Sequence, residues 1–254
     1  MGNVIIIAKN TARELIRNRV LYAVLFFSIA IIVASASISH FEHATQFKLL
    51  TDISYTAITY FTMFLCLFLT MSQVSNEIDQ RTIYFVLTRP VRRIQFLLGK
   101  FIGVLAILAL NLVIMGITHL IALGSTDFHV IGSLVTGQLL IGCQAMILCS
   151  VVICLSTFMS SILAVVMSTF LYFFGTVAST LIHGLTSGGH HFLSTILQGM
   201  QIFLPNFNLF DLQDVVLSGD SFTVKFVSVL LLYAVLYSAN FIIIANMAFN
   251  RRDL

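Results

Sequence analysis

The sequence predicts an all-α integral membrane protein with six transmembrane helices, and three observations predict it. Of 254 residues, 59% are hydrophobic and 9% charged; soluble domains carry about 25% charged residues, so few charges cannot cover a soluble surface of this size. Six apolar stretches, near 20–38, 54–75, 97–123, 131–156, 160–183 and 225–249, supply the roughly 20 residues that a bilayer core needs. Eleven of the 13 Lys and Arg residues then fall on one side of the membrane those stretches define. Lys9, Arg13, Arg17 and Arg19 precede the first, Arg81, Arg89, Arg92, Arg93 and Lys100 lie around the second–third loop, and Arg251 and Arg252 follow the sixth; only Lys48 and Lys225 lie opposite. Positive charge in short loops stays cytoplasmic. The expected protein is a single transmembrane domain over residues 1–254, multi-pass in the cytoplasmic (inner) membrane, with both termini cytoplasmic. The net charge of +3 calls for no nucleic acid, because the basic residues sit where membrane topology wants them.

Residues 3–19 form a candidate interfacial helix. Ile5, Ala8, Ala12, Leu15 and Ile16 share one face, and Lys9, Arg13 and Arg17 repeat every four residues beside Asn10, Glu14 and Asn18. An apolar stripe beside a basic one suits the anionic inner leaflet, making membrane lipid a partner; a short cytoplasmic extension of the first span is the other reading. The first span also has a signal-peptide look, ending in Ala34-Ser35-Ala36, but its lead is long and patterned. With no Trp in the chain, tyrosines such as Tyr22, Tyr55, Tyr60 and Tyr84 are the expected interface anchors.

Between spans two and three, residues 76–96 open on acids, Glu77 and Asp79, where a helix dipole favours them. Pro90 ends helical structure at or before Arg89. A short cytoplasmic helix, a break and then span three are expected. A solvated basic loop would explain the arginines, but not the acids or the apolar run from Ile83 to Leu87, which needs a burial partner. The external loops 39–53 and 124–130 are short. Residues 184–224 form a long external loop in which 191–204 is apolar but too short to span, so a re-entrant or interfacial helix before Pro205 is expected. Residues 156–161 make a tight uncharged turn.

Motifs for chemistry are missing from the sequence. Gly99-Lys100 lacks the upstream glycine of a nucleotide-binding loop, and no Gly-x-Ser-x-Gly or His-Glu-x-x-His is present. No catalytic residue and no metal site is assigned. Cys66, Cys143, Cys149 and Cys154 all fall in spans without a Cys-x-x-Cys and read as packing residues. His40, His43, His183, His190 and His191 gather on the external side near Glu42, which suits copper or zinc, yet their spacing matches no closed site and polar loops collect histidines. His119, late in span three, reads as a hydrogen-bonded interface residue.

Two spans carry weakly polar stripes at helical spacing. Thr56, Thr59, Met63, Cys66, Thr70 and Gln73 mark one face of the second, and Ser168, Tyr172, Gly175 and Ser179 one face of the fifth. Such faces pack against other helices or line a path.

Taken together, the basic lead, the six spans, the acid-start segment and the long loop before span six resemble the permease subunit of type-2 ABC transporters. The stretches that carry the resemblance are Glu77-Ile-Asp-Gln-Arg-Thr82, then Val86-Leu-Thr-Arg-Pro90-Val-Arg-Arg-Ile-Gln-Phe-Leu-Leu-Gly-Lys100, and Leu204-Pro205-Asn206-Phe207. Arg81 stands where that family usually has glycine. The resemblance implies a homodimer whose copies each rest on a separate ABC ATP-binding subunit holding ATP and Mg, with no cofactor and no enzymatic activity in this chain. It implies that Glu77, Asp79, Arg81, Thr82, Arg89, Pro90, Arg92 and Arg93 couple to that ATPase, and that Lys9, Arg13 and Arg17 belong to an elbow helix. Thr56, Thr59, Met63, Cys66, Thr70, Ser168, Tyr172, Gly175 and Ser179 would line the central path. The implied function is export of an amphipathic or lipid-like substrate; the alternative is a mechanotransmitting or assembly subunit serving an external partner protein, such as a copper enzyme, without bulk transport. Outside the resemblance, a self-contained secondary transporter would place ionisable residues near the midplane, and none of the six stretches has one there.

Overall fold

Helix α1, Gly2–Ile16, is stopped by the turn at Arg17 and Asn18. The Asn18 side chain accepts the backbone N–H of Val20 at 3.0 Å, which caps the next helix, α2, Arg19–Ile38. The two helices meet at 64°. The structure, a computed structural model, describes residues 2–38, 43–75, 93–123, 128–187, 192, 195, 197–199, 204–211 and 224–251. Every regular element among them is helical. Helix α3, His43–Thr70, runs into a π-turn, Met71–Ser75. Helices α4, Arg93–Leu123, α5, Phe128–Ser156, and α6, Ser161–Ser187, follow, then a 3-10 turn, Phe207–Phe210, and α7, Val224–Arg251.

Five helices are long and apolar enough to cross a membrane, and the bent α1–α2 pair makes a sixth if it counts as one span. The chain is a multi-pass membrane protein. Phe170, Ile121 and Phe26 are 73%, 75% and 67% exposed on the bundle's outside; soluble proteins rarely leave so large an apolar surface open, whereas lipid covers it at no cost. Helix α3 begins eleven residues before its expected start, at His43 instead of residue 54, so most of the loop expected over 39–53 is helical. Nothing between His43 and Thr70 breaks a helix, since the stretch has neither Gly nor Pro, and its polar first turns extend the helix beyond its apolar part.

Helix α5 is the centre of the bundle. Within its most apolar window 78% of residues are buried, against 33% in α6 and 22% in α7. It packs on α3, α4, α6 and α7, and Leu140, Ile147, Leu148, Cys149 and Ile153 are wholly enclosed. Helix α4 buries one stripe at three-to-four spacing, Phe96, Lys100, Val104, Ile107, Asn111, Met115 and His119, as a helix with one face in a core must. The cysteines are buried and free: Cys66 donates to the Ala145 carbonyl at 3.3 Å, and Thr70 donates to Cys149 Sγ at 3.4 Å.

Helix α1 docks along the start of α4, and the contact differs from the expected apolar stripe. Ala8, Thr11 and Leu15 are buried, while Ile5 and Ile16 are exposed. The reason is on α4. A Cβ on Gly99 would stand 2.6 Å from Ile7 Cγ2, and one on Gly103 would stand 2.6 Å from Thr11 Cβ and 2.9 Å from the Ala8 carbonyl. Two glycines four apart let the backbones meet, the small-residue crossing that serves helix association in membranes.

The π-turn ending α3 presents Gln73 to α4. Its Oε1 accepts from Lys100 Nζ at 2.9 Å, with both side chains buried, and the Lys100 ammonium lies 5.8 Å from the Phe96 ring centre. Replacing Gln73 with Leu takes an acceptor away from a buried cation. The expected loss is about 1–3 kcal/mol, read as a lower melting temperature in detergent; an unchanged melt would show that the pair contributes nothing.

A candidate substrate cleft between α3 and α6

Helices α3 and α6 both lean on α5 but touch each other little, and a cleft opens between them. Its upper part is a cavity of about 510 Å³. Tyr55, Thr56, Thr59 and Tyr60 of α3 form one wall, and Tyr172, Phe173, Thr176 and Val177 of α6 the other. Ile141 and Gln144 of α5 make the floor, and Asn208, Phe210 and Asp211 close one end. A second groove of about 410 Å³ continues along the same two helices and shares Tyr60, Tyr172 and Phe173 with the first. Its other walls, Phe61, Met63, Phe64, Leu67 and Thr169, are almost entirely apolar. One cleft therefore has a polar, aromatic head and a hydrocarbon tail.

The closing segment, residues 204–211, is a plug. Asn206 caps it, accepting the Asn208 N–H at 3.1 Å and donating its own N–H to the Tyr233 hydroxyl at 3.0 Å. In a 3-10 turn the i and i+3 side chains eclipse, so Phe207 and Phe210 enter the bundle together; both are fully buried. Phe207 packs against Tyr172, ring centres 5.2 Å apart, and Phe210 against Tyr233 at 6.0 Å. Gln144 donates to the Phe207 carbonyl at 3.4 Å. Gly175 is needed where the plug passes α6, because a Cβ there would lie 2.7 Å from the Pro205 carbonyl. Gln144 and Gly175 sit near the midpoints of α5 and α6, so the plug reaches the middle of the bundle. Part of the long loop expected to lie outside the membrane is thus inside the fold.

The plug also brings in a charge. Asp211, which is exposed, is the one carboxylate among the described lining residues, and none of those residues is Lys or Arg. It lies within Coulombic reach of the Tyr55 and Tyr172 hydroxyls. The Tyr55 hydroxyl itself donates to the Gly137 carbonyl at 3.4 Å, and Tyr55 is buried rather than serving as an interface anchor.

A family model described as "Protein of unknown function (DUF2705)" matches residues 20–254. The chain belongs to the DUF2705 family. That match overturns the resemblance to type-2 ABC transporter permeases, since the family found is DUF2705 and not an ABC permease family. The resemblance was carried by the short stretches 77–82, 86–100 and 204–207, set among an amphipathic basic lead, six apolar stretches and a basic loop. Any multi-pass protein that follows the positive-inside rule can show the last three features. No curated protein matches the sequence.

Within the DUF2705 chain, the expected path residues separate. Thr56, Thr59 and Tyr172 line the upper cavity, and Met63 and Tyr172 the lower groove. Cys66 and Thr70 continue the same stripe of α3 but meet α5. Ser168 is buried and donates to the Ala164 carbonyl of its own helix at 2.7 Å. Thr59 likewise donates to the Tyr55 carbonyl at 2.9 Å; such back-bonding satisfies a hydroxyl inside a helix and leaves its oxygen free to accept. Gly175 faces the plug, and the Ser179 side chain lies outside the described residues. Of the expected coupling residues, Glu77, Asp79, Arg81, Thr82, Arg89, Pro90 and Arg92 lie outside the described residues, and Arg93 begins α4. Lys9 and Arg13 on α1 and Arg17 in the turn after it are exposed, and Asn10, Arg13, Glu14 and Arg17 line a groove of about 390 Å³. The apolar helix expected over 191–204 falls mostly outside the described residues; 192, 195 and 197–199 are helical. Among the described residues no three His, Cys, Asp or Glu side chains gather into a metal-binding group; His40, His190 and His191 lie outside them.

Sequence reasoning missed Tyr60, Phe173, Thr176, Gln144, Asn208 and Asp211 as cavity residues. The available signal was Phe207-Asn-Leu-Phe210, two aromatics three apart just after a proline, too short for a span and too apolar for an open loop.

Proposed function

We propose that this chain is the membrane-embedded pathway subunit of a system that exports an amphipathic, lipid-like molecule, driven by ATP hydrolysis in a separate subunit. The observation that carries the reading is the α3–α6 cleft, with a polar head near mid-bundle and an apolar tail between two lipid-exposed helices. A molecule with a head and a hydrocarbon tail fits that division, and it can enter from the bilayer side. The sequence carries no nucleotide-binding loop of its own, so the energy is assigned to a partner that docks at residues 76–96. The α1 end would then face the cytoplasm, following the distribution of Lys and Arg. The docked pair α1–α4 would carry the partner's motion to the bundle.

The test is a pull-down of the full chain from mild detergent beside a Glu77→Ala, Arg81→Ala double variant. Co-purification of an ATP-binding subunit by the parent, with about tenfold less by the variant, is the expected result, the order of a few lost charge-assisted contacts. Recovery of no ATP-binding protein by the parent would overturn the coupling reading. Asp211 favours a second reading, since it puts a carboxylate on the wall of a cavity inside the helix bundle, and ionisable residues along a pathway commonly mark ion-coupled carriers. Transport by the purified chain alone, driven by a proton gradient without ATP, would select it.

A further inference from the structure

We propose that the α3–α6 cleft selects a cationic amphiphile, with its ammonium head in the upper cavity beside Asp211 and its hydrocarbon chain along the lower groove. The inference rests on the transport reading only for why the cleft exists; the ligand class stands on the cleft's own chemistry. Tyr60, Tyr172 and Phe173 sit where the two compartments join. Aromatic faces in a partly desolvated site attract ammonium groups, most of all quaternary ones that cannot use strong hydrogen bonds. Asp211 adds the only formal charge on the described cavity wall, and it is negative. An anionic head would meet that carboxylate with no Lys or Arg among the described lining residues to offset it. A neutral head would bring no counter-charge to that carboxylate. The lower groove offers carbon to the rest of the ligand, with Phe64 more than half exposed along it.

The chain has no Trp, so Phe173→Trp supplies a single reporter in the cleft wall. This variant, in phosphatidylcholine vesicles, is titrated with dodecyltrimethylammonium, dodecyl sulfate and dodecyl maltoside. A saturable emission change with the ammonium probe, at concentrations about fivefold or more below the other two, is expected, the scale of one partly exposed ion pair. Adding Asp211→Asn should remove that preference while maltoside binding stays the same, and Asp211→Glu should retain it. A saturable change equal for all three head groups, or a preference that survives Asp211→Asn, overturns the proposal. Disulfide formation between two copies carrying Tyr60→Cys, with the probe excluded, would show a second copy in the cleft and also overturn it. Cation-selective binding without a co-purifying ATP-binding subunit keeps the ligand class and sinks the ATP-driven reading; the reverse pattern does the opposite.

Discussion

Replacing Phe207 with Ala should destabilise the protein by about 3–5 kcal/mol, the range for emptying a buried aromatic site. Phe207 is fully buried at the point of the plug, against Tyr172 on one side and Gly175 on another. Loss of the ring also weakens the reason for the 3-10 turn to sit inside, since Phe210 alone would have to hold it. The measurement is thermal unfolding in detergent, paired with thiol labelling of Thr56→Cys on the cavity wall. A lower melting temperature and faster labelling are expected together. Leu209→Ala is the control in the same turn: Leu209 points away, 42% exposed, and should change stability by about 0.5 kcal/mol or less. If the two variants melt alike, the plug is not a structural element of the bundle.

The helices were legible in the sequence because the signal for them is long and redundant. Twenty or more apolar residues without a charge leave a chain in a bilayer few alternatives to a helix. The boundaries were less legible at α3, whose polar first turns resemble a loop in composition but contain no helix breaker. Half of the cleft was visible as polar stripes. Thr56 and Thr59 lie on the predicted face, and so do Cys66 and Thr70, but periodicity says only that they share a face of α3. Which neighbour that face meets is decided by packing, and it changes from α6 to α5 on the way down the helix. The plug was illegible for a different reason. Its burial depends on Gly175, Gln144 and Tyr233, which come from three other helices and carry no mark of a shared partner in sequence. Asp211 therefore read as an external loop residue, and the spans read as free of midplane charge, when the fold carries a carboxylate to the cavity from outside the spans. The family resemblance failed in a similar way: it rested on short stretches set in features common to membrane topology, and the family model that matches is DUF2705.

Gly103→Leu should detach α1 from the bundle, with a loss of stability at or above the 1–3 kcal/mol of ordinary overpacking. Even a single added carbon at this position would lie 2.6 Å from Thr11 Cβ and 2.9 Å from the Ala8 carbonyl oxygen. A side chain can turn aside, but Ala8 O is backbone, so trimming Thr11 cannot relieve the clash and Thr11→Gly should rescue only part of the loss. Relief requires the whole of α1 to move. Once undocked, a 15-residue helix is marginal by itself in water, and its exposed Ile5, Ile6 and Ile16 with its basic residues would have to keep it at a membrane. Amide exchange separates this outcome from general unfolding: protection should fall across residues 4–16 while the core of α5 stays protected. Gly132→Ala is the matched control, because a Cβ there meets nothing within 4 Å and the change should be neutral or stabilising by up to about 1 kcal/mol. Equal protection of α1 in the Gly103→Leu and Gly132→Ala variants would mean that the α1–α4 crossing is not set by glycine. Loss confined to α1 would establish that crossing as a discrete joint between the amphipathic helix and the cleft-bearing bundle.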